Sequence, residues 1–243
     1  MKDIVKFGLI GKNISYSFSE KYFTEKFRKL FLKNHSYHTF DLPSIDEIQN
    51  LLKDPTLKGF NVTIPYKEQI IPYVDELNEE AQYIQAGNTV LIKNGKRIGY
   101  NTDAFGFEQT LLLHKKEAHT QALILGNGGA AKAVKFVLEK HKIPFRVVTR
   151  TSEPNFETLP KEWVATSPII IQCTPVGTFP NVKDCLHFPF EQLTHQHLVI
   201  DLIYNPNQTE FLLRAAQQGA KCCNGFFMLE QQAEKAWEIW NFK

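Results

Sequence analysis

The chain has 243 residues, of which 43% are hydrophobic and 22% charged, as expected for a globular protein with one large or two medium domains. Its net charge of +2 and its lack of a Lys/Arg block argue against a nucleic-acid partner. No apolar run approaches the roughly 18 residues that a membrane helix needs, which argues against a membrane partner. Lys6 interrupts the only apolar stretch near the N-terminus, which makes a poor signal peptide.

The first half of the chain predicts an α/β unit of about 100 residues. Aromatic residues recur at helical spacing in the second segment, and Ser44 with Glu47 forms a capping box in the fourth. Asn94-Gly95 predicts a tight hairpin turn between the last two strands. In chain order, the predicted elements are a strand at 4–10, a helix at 20–32, a strand at 37–42, a helix from Ser44 through Leu52, a strand at 59–64, a short helix at 68–74, and strands at 89–92 and 97–100.

The second half alternates strands and helices, which predicts a parallel sheet covered on both faces. Its predicted elements are strands at 122–125, 145–149, 169–172, 198–202 and 220–222, with helices at 104–114, 130–140, 209–218 and 227–240. We therefore expect an α/β protein of two domains. A substrate-binding and catalytic domain spans 1–103 and is completed by the C-terminal helix at about 226–243, and a Rossmann-like domain spans 104–225.

The candidate metal ligands in the sequence are four cysteines and an HxH pair. The cysteines show neither CxxC spacing nor a disulfide framework, so we interpret them as reduced thiols of a cytoplasmic protein. His195 and His197 have no third ligand nearby, and a solvated pair is the favoured interpretation. We expect no metal site.

The segment ALILGNGGAAKAV carries a glycine-rich turn between an apolar strand and a helix. Gly126 permits the tight turn, Gly128 lets the backbone approach a pyrophosphate, and Ala131 allows close helix–sheet packing. The helix N-terminus offers free N–H groups to the phosphates. The segment therefore predicts a dinucleotide site, with a purely structural glycine turn as the alternative.

The next strand ends in VVTRT, where an NAD site usually has Asp or Glu for the ribose hydroxyls. Arg150 in this place suits a phosphate better than a diol. The sequence predicts NADP as the cofactor in preference to NAD, the alternative being that Arg150 is a solvated surface charge.

Several strings of the first half place small polar residues at strand ends, where open α/β sheets bind ligands. Together they offer hydroxyls, amides and a carboxylate, which suits a small polyhydroxylated acid. These residues are Ser17, Ser19, Asn61, Thr63, Asn88 and Asp103.

The strings IGKNISYSFSE, NVTIPYKE, AGNTV, GYNTDAFGF, GNGGAAKAV, CTPVGT, DLIYNP and NGFFMLEQQA closely resemble those of the shikimate dehydrogenase family. The resemblance covers nearly the whole chain in collinear order. It implies a two-domain α/β enzyme of chorismate and aromatic amino acid biosynthesis, which reduces 3-dehydroshikimate to shikimate with NADPH.

The resemblance assigns roles residue by residue. The catalytic pair falls on Lys67 and Asp103. Substrate contacts fall on Ser17, Ser19, Asn88, Thr63, Tyr204 and Gln232, with Asn61 close by. Cofactor contacts fall on Gly126, Asn127, Gly128, Gly129, Ala130, Thr149, Arg150, Thr151, Thr174 and Gly225, the last where nicotinamide passes close to the backbone.

The chain departs from the family pattern near the paired serines and after VVTRT. The family usually has proline at Asn13, histidine at Tyr16 and proline at Glu20, so we expect the serine loop to sit somewhat differently. A second basic residue often follows VVTRT, and Pro154 and Asn155 occupy that region here. This weakens the case for NADP without reversing it.

Reduction of a ketone moves a hydride from nicotinamide and a proton to the oxygen, and the protein must supply the proton. Lys67 as an ammonium polarises the ketone and donates, and Asp103 orients Lys67 and a substrate hydroxyl. The alternatives are a solvated turn lysine for Lys67 and a helix N-cap for Asp103. Tyr204 and Gln232 have the alternative of satisfying local hydrogen bonds, and the two serines that of loop caps.

Two other functions compete with an NADP-dependent shikimate dehydrogenase. One is a quinate/shikimate dehydrogenase that uses NAD. The other is a non-catalytic homologue that senses the ring acid, against which the intact Lys67 and Asp103 argue. The expected partner is a small-molecule substrate, and the sequence leaves monomer and homodimer equally open.

Overall fold

The computed structural model describes residues 4–14 and 18–241, and the chain divides into two compact units. The first comprises Met1–Thr102 and Ala233–Lys243, and the second Asp103–Gln232. Ser17, one of the predicted substrate contacts, lies outside the described residues.

A six-stranded mixed sheet forms the first unit, with the order β2-β1-β3-β5-β6-β4. β1 pairs in parallel with β2 and β3, whereas β5 is antiparallel to β3 and to β6. Thus β1 and β3 end at the same edge of the sheet. The strands are β1 Val5–Gly11, β2 His35–Asp41, β3 Leu57–Val62, β4 Glu76–Leu77, β5 Thr89–Lys93 and β6 Lys96–Tyr100. The helices of this part are α1 Phe18–Lys29, α2 Ile48–Leu51 and α3 Glu79–Ile84.

The second unit contains a five-stranded sheet that is parallel throughout, with the order β11-β10-β9-β7-β8. Every residue of β7, β9 and β10 is buried, as expected when helices cover both faces of a parallel sheet. The strand order reverses between β7 and β9, which makes this the switch point of the sheet. The strands are β7 Ala122–Leu125, β8 Phe145–Val148, β9 Ile169–Gln172, β10 Leu198–Asp201 and β11 Lys221–Cys223. The helices that follow the first unit's strands are α4 Thr102–His114, α5 Gly129–Lys140, α6 Lys161–Ala165, α7 Glu210–Gln217 and α8 Phe226–Trp240.

Helix α8 belongs to both units, whereas the predicted first domain contained all of it. Residues 226–232 belong to the second unit, where Met228 packs against Gly106 of α4. Ala233, Ala236 and Trp240 belong to the core of the first unit.

The helix expected at 68–74 is wrong. The segment folds as turns followed by a 3-10 helix, Ile71–Tyr73. Buried Tyr66 and Ile70 hold these turns against the core, and such tertiary contacts are invisible in a local pattern. The capping box is wrong as well, because the Ser44 side chain accepts from the N–H of Asp46 at the start of a 3-10 helix.

Trp240 anchors the last turn of α8 in the first unit. Its indole N–H donates to the Val90 carbonyl at 3.0 Å, and its ring stacks on Phe7 with centroids 4.5 Å apart. A Cβ at Gly59 would stand 2.4 Å from the indole nitrogen and 2.7 Å from the Val90 carbonyl oxygen. Gly59 is therefore a packing requirement.

We predict that Gly59→Ala lowers the free energy of unfolding by about 1–3 kcal/mol, because the methyl group overfills this contact. Urea unfolding followed by tryptophan fluorescence measures the loss. Trp240→Phe removes the indole nitrogen that the methyl group meets, so Gly59→Ala should cost less in that background. An equal cost in both backgrounds would place the conflict elsewhere.

A buried carboxyl group, that of Asp201, ends β10. It accepts from the Thr209 hydroxyl at 2.6 Å and from the Ile203 N–H at 3.0 Å, and these bonds fix the chain that leaves the strand. Burial nevertheless raises the pKa of Asp201 to about 6, above its usual 3.8. The stability that follows from this shift is present below about pH 4 and is lost as the pH rises through about 6.

We predict that Asp201→Asn, which cannot ionise, gains stability relative to the wild type by about 2 kcal/mol between about pH 4.5 and about pH 7.5. Urea unfolding at the two pH values measures the change in the difference between the proteins. Asp75→Asn is the control, because Arg97 lowers the pKa of Asp75 to about 2 and its titration lies below this window. A difference that does not change with pH for Asp201→Asn would mean that Asp201 ionises normally.

Candidate active site

Lys67 lies on a turn at the end of β3, and backbone contacts fix that turn on both sides. The N–H of Thr63, the first residue after β3, donates to the Ile10 carbonyl at 2.9 Å. The Lys67 carbonyl accepts from the N–H of Gly87 at 2.7 Å, and the buried Tyr66 donates its phenol to the Leu42 carbonyl at 2.6 Å. Lys67 itself is half-buried. The strand therefore delivers the lysine at its carboxyl edge with a constrained backbone.

Asn88 follows Gly87 directly and has a side-chain amide of fixed orientation. Its Oδ1 accepts from the Thr102 N–H at 2.6 Å and from the Thr102 hydroxyl at 3.1 Å. A backbone N–H only donates, so Oδ1 must face Thr102 and Nδ2 must face the other way. Nδ2 makes no hydrogen bond with any residue the structure describes, although Asn88 is buried. Asn88 thus keeps a side-chain donor that the described residues leave unused.

Asp103 lies in the first turn of α4, just after Thr102, and its residue is only 2% exposed. The helix begins at Thr102, so the N-cap alternative for Asp103 is wrong. A carboxylate in a first turn interacts favourably with the helix dipole. Lys67 belongs to the first unit and Asp103 to the second.

Asn61 belongs to a largely buried network of polar side chains next to Asn88. Its Nδ2 donates to the Thr89 hydroxyl at 2.9 Å and to the Asn88 carbonyl at 3.3 Å, and its Oδ1 accepts from the Tyr37 phenol at 2.8 Å. Both N–H groups of Asn61 are therefore engaged within the protein. Tyr37 also hydrogen-bonds to Ser19, which lies in the first turn of α1, and burial raises the pKa of Tyr37 above its usual value. The phenol thus keeps its proton and joins Ser19 to Asn61.

The loop before the serines differs from the family pattern for a backbone reason. Asn13 has φ +58°, and its N–H donates to the Asp41 carboxylate at 2.8 Å. The ring of the family's proline fixes φ near −65° and removes the N–H, so proline could occupy neither this conformation nor this bond. The expectation concerns residues 15–17 as well, which lie outside the described residues.

Tyr204 and Gln232 are placed in the second unit. Tyr204 follows β10, is 38% exposed, and has a pKa that burial raises. Gln232 is half-buried on α8, beside Gly106 of α4. Its amide makes no hydrogen bond with a described residue. Within the described part of the chain, Gln232 therefore does not serve local hydrogen bonds, which was the alternative to a substrate contact.

The glycine turn follows β7 at the switch point of the parallel sheet. Gly126 has φ +107°, and a Cβ there would lie 2.9 Å from the Thr174 side chain, which follows β9. Gly128 caps α5 without a side-chain hydrogen bond, and no atom of the described residues lies within 4 Å of where its Cβ would be. Gly126 is therefore required by the protein's own backbone, whereas Gly128 keeps an approach to the helix N-terminus open.

Arg150 lies on the loop that follows β8. The loop is held by the Thr149 hydroxyl, which accepts from the N–H groups of Thr151 and Ser152 at 3.2 and 2.9 Å. Arg150 is exposed and makes no hydrogen bond or salt bridge with a described residue. The loop thus offers an uncompensated guanidinium beside the glycine turn, while the Thr149 side chain serves the loop.

Gly225 precedes α8, and its glycine is required by packing. A Cβ there would stand 2.1 Å from the Leu202 carbonyl oxygen, and the Gly225 N–H donates to the Ile203 carbonyl at 3.0 Å. A side chain would force α8 away from the end of β10. This requirement holds with or without a nicotinamide nearby.

Among the described residues no group of His, Cys, Asp and Glu could hold a metal ion. The solvated pair is wrong for His197, which is buried, accepts from the Thr194 N–H at 3.0 Å and faces the Val164 carbonyl at 3.1 Å. Burial raises the pKa of Cys222 to about 11 and of Cys223 to about 12, so both remain thiols at neutral pH. Within the same range, none of the helices combines the length and apolarity of a membrane span.

Sequence reasoning missed Tyr37, Thr89 and Thr102. Thr89 and Thr102 lie next to motif residues, in AGNTV and GYNTDAFGF. Their hydroxyls hydrogen-bond to Asn61 and Asn88 within the protein. Tyr37 appeared only as the start of a strand, and nothing in the local pattern indicates its partners. The contact of Asn127 with Lys135 of α5 was missed as well.

Comparison with known proteins places the chain in a family. The model of the shikimate dehydrogenase substrate binding domain matches residues 9–90. An NADP(+)-dependent shikimate dehydrogenase of Desulforamulus reducens is 34% identical over 96% of this chain and 88% of its own length.

Two solved structures match this chain over 98% of its length and over 94% of the length of each solved chain. The shikimate 5-dehydrogenase of Thermus thermophilus, in complex with NADP(H) and shikimate, is 30% identical with a TM-score of 0.87. The quinate dehydrogenase of Corynebacterium glutamicum, in complex with NAD, is 25% identical with a TM-score of 0.84. The collinear motifs, the two-unit α/β fold and these likenesses agree, and the chain belongs to the shikimate dehydrogenase family.

Proposed function

We propose that the protein is an NADP-dependent shikimate dehydrogenase that reversibly reduces 3-dehydroshikimate to shikimate in aromatic amino acid biosynthesis. The observation that carries the proposal is the constrained polar edge of the first unit. There the lysine turn is joined to the residue before Asn88 by the hydrogen bond from the Gly87 N–H to the Lys67 carbonyl. The relatives named as NADP(+)-dependent shikimate dehydrogenases support the substrate and the cofactor.

NADPH supplies the hydride in this reaction, and the chain's residues bind the two molecules and manage the proton. Lys67 as an ammonium donates a hydrogen bond to the ketone oxygen and then its proton, and it takes the proton back in the oxidative direction. Asp103 binds a substrate hydroxyl. Asn88 donates to a substrate oxygen, and Ser17, Ser19, Thr63, Tyr204 and Gln232 complete the substrate contacts. Asn61 acts indirectly, through its hydrogen bonds with Thr89 and Tyr37.

The cofactor fits the second unit. Gly128, Gly129 and Ala130 present the N-terminus of α5 to the pyrophosphate, flanked by Asn127 of the turn and by Thr174. Arg150 and the neighbouring Thr151 meet the 2′-phosphate, and Gly225 borders the nicotinamide. We further propose a cytoplasmic enzyme that works as a monomer or homodimer, which size-exclusion chromatography with light scattering would resolve.

The deciding experiment measures initial rates with shikimate and quinate, each with NADP and NAD, from the absorbance of the reduced nicotinamide. Shikimate with NADP should give the highest kcat/KM. The alternative quinate enzyme has support from the likeness to the quinate dehydrogenase complexed with NAD and from the missing second basic residue after Arg150. A preference for quinate with NAD would select it. Binding of shikimate without any rate would select the sensing homologue.

We predict that Lys67→Ala lowers kcat for shikimate oxidation by about 100- to 10,000-fold, because the group that moves the proton is lost. The KM for shikimate should change much less. Lys58→Ala, an exposed lysine of the same unit, is the matched control and should keep the wild-type rate. A Lys67→Ala enzyme with near-normal turnover would refute the proton-transfer role.

We predict that Arg150→Ala raises the KM for NADP by about 10- to 100-fold, since charge-assisted hydrogen bonds to the 2′-phosphate are lost. The KM for NAD should stay within about twofold, because NAD lacks that phosphate. Arg146→Ala is the control, because Arg146 lies on β8 with its guanidinium over the Trp163 ring. Equal increases for the two cofactors would show that Arg150 does not recognise the 2′-phosphate.

A further inference from the structure

A second cation besides Arg150 reaches the glycine turn. The Lys135 ammonium, on α5, donates to Oδ1 of Asn127, the residue between Gly126 and Gly128. Side chains of an α-helix lean toward its N-terminus, which brings a lysine in the second turn back to the start of the helix. Lys135 is half-buried along this path.

A residue that follows the neighbouring strand, β9, is also close to the Lys135 ammonium. Cys173 follows β9, and its N–H donates to the Leu125 carbonyl at the end of β7. The positive charge of Lys135 acts on the Cys173 thiol and opposes the larger rise in its pKa that burial causes. The ammonium is therefore near the ends of both β7 and β9, at the switch point where open α/β sheets bind ligands.

The charge of Lys135 has no carboxylate partner among the described residues. Lys140, further along the same helix, pairs with Glu108 at 2.8 Å, but no such ion pair includes Lys135. Its hydrogen bond is to a neutral amide, which provides a partner without balancing the charge. A half-buried, unbalanced cation beside the free N–H groups of a helix N-terminus favours a bound anion.

The two cations belong to different segments, since Arg150 lies on the loop after β8 and Lys135 is bonded to the glycine turn after β7. Arg150 follows β8, and β8 and β9 are the two neighbours of β7 in the sheet. The 2′-phosphate distinguishes NADP from NAD, whereas both cofactors carry the pyrophosphate. A cation at the glycine turn itself is suited to the group that the cofactors share.

We infer that Lys135 is a cofactor-binding residue that neutralises the pyrophosphate of either dinucleotide, with Asn127 holding its ammonium at the turn. The inference rests on the proposed function only for the identity of the dinucleotide. It divides the affinity of the cofactor into two parts. Arg150 selects NADP over NAD, and Lys135 strengthens both equally.

The test compares Lys135→Met with the wild type in titrations of NADPH and NADH, followed by the fluorescence of the reduced nicotinamide. We expect the Kd of both to rise by the same factor, about 5- to 20-fold, as for the loss of one charge-assisted contact. The increase should shrink at high salt, because screening already weakens the contact in the wild type. Lys135→Arg keeps the charge and should restore most of the affinity.

Lys140→Met, on the same helix, is the matched control and should leave both Kd values unchanged. The melting temperature of each variant separates binding from folding, and titrations are made well below it. An unchanged Kd for Lys135→Met would overturn the inference, and so would a rise for NADPH alone, which would place Lys135 at the 2′-phosphate. Because binding is measured without substrate, a wild type that binds NADPH but does not oxidise shikimate would refute the proposed function and leave this inference testable.

Discussion

The substrate side of this protein depends on one buried hydrogen bond, from the Thr102 N–H to Oδ1 of Asn88. It satisfies a backbone donor at the start of α4, which a buried helix end requires. It also sets the direction of the Asn88 amide. The residue before Asn88 bonds to the Lys67 carbonyl, and the residue after Thr102 is Asp103. The Asn88 side chain therefore holds the start of α4, and its neighbour Gly87 holds the lysine turn.

A second layer of buried groups makes that arrangement rigid. Asn61 donates both N–H groups to Asn88 and Thr89, at the start of β5, and Tyr37 ties Asn61 to the helix that carries Ser19. Buried polar groups that are fully paired specify a single geometry, whereas a half-satisfied set would be costly. The residues of the proposed substrate site are thus positioned by side chains that are hydrogen-bonded to one another.

The sequence could predict those features that a local pattern determines. Gly126 needs a positive φ in the strand-to-helix turn, and the apolar runs of β7, β9 and β10 leave little choice but buried parallel strands. Features made by distant partners could not be predicted. Tyr66 and Ile70 pack against the core, so the predicted helix at 68–74 is replaced by turns and a short 3-10 helix. His197 is buried and hydrogen-bonds to the Thr194 N–H and the Val164 carbonyl. The contact of Lys135 with Asn127 could not be predicted either, because only the fold brings the lysine back to the glycine turn.

Three of the motif glycines also show how a structural requirement is separated from a functional one. At Gly126 a φ of +107° and a Cβ contact of 2.9 Å require glycine, and at Gly225 a Cβ contact of 2.1 Å does, so neither needs a ligand as the reason. At Gly128 a Cβ would meet no described residue, and φ is −80°, which any residue can adopt. Neither strain nor packing accounts for glycine there. The remaining physical reason is an approach to the α5 N-terminus from outside, where a pyrophosphate would be held between the helix N–H groups and the Lys135 charge.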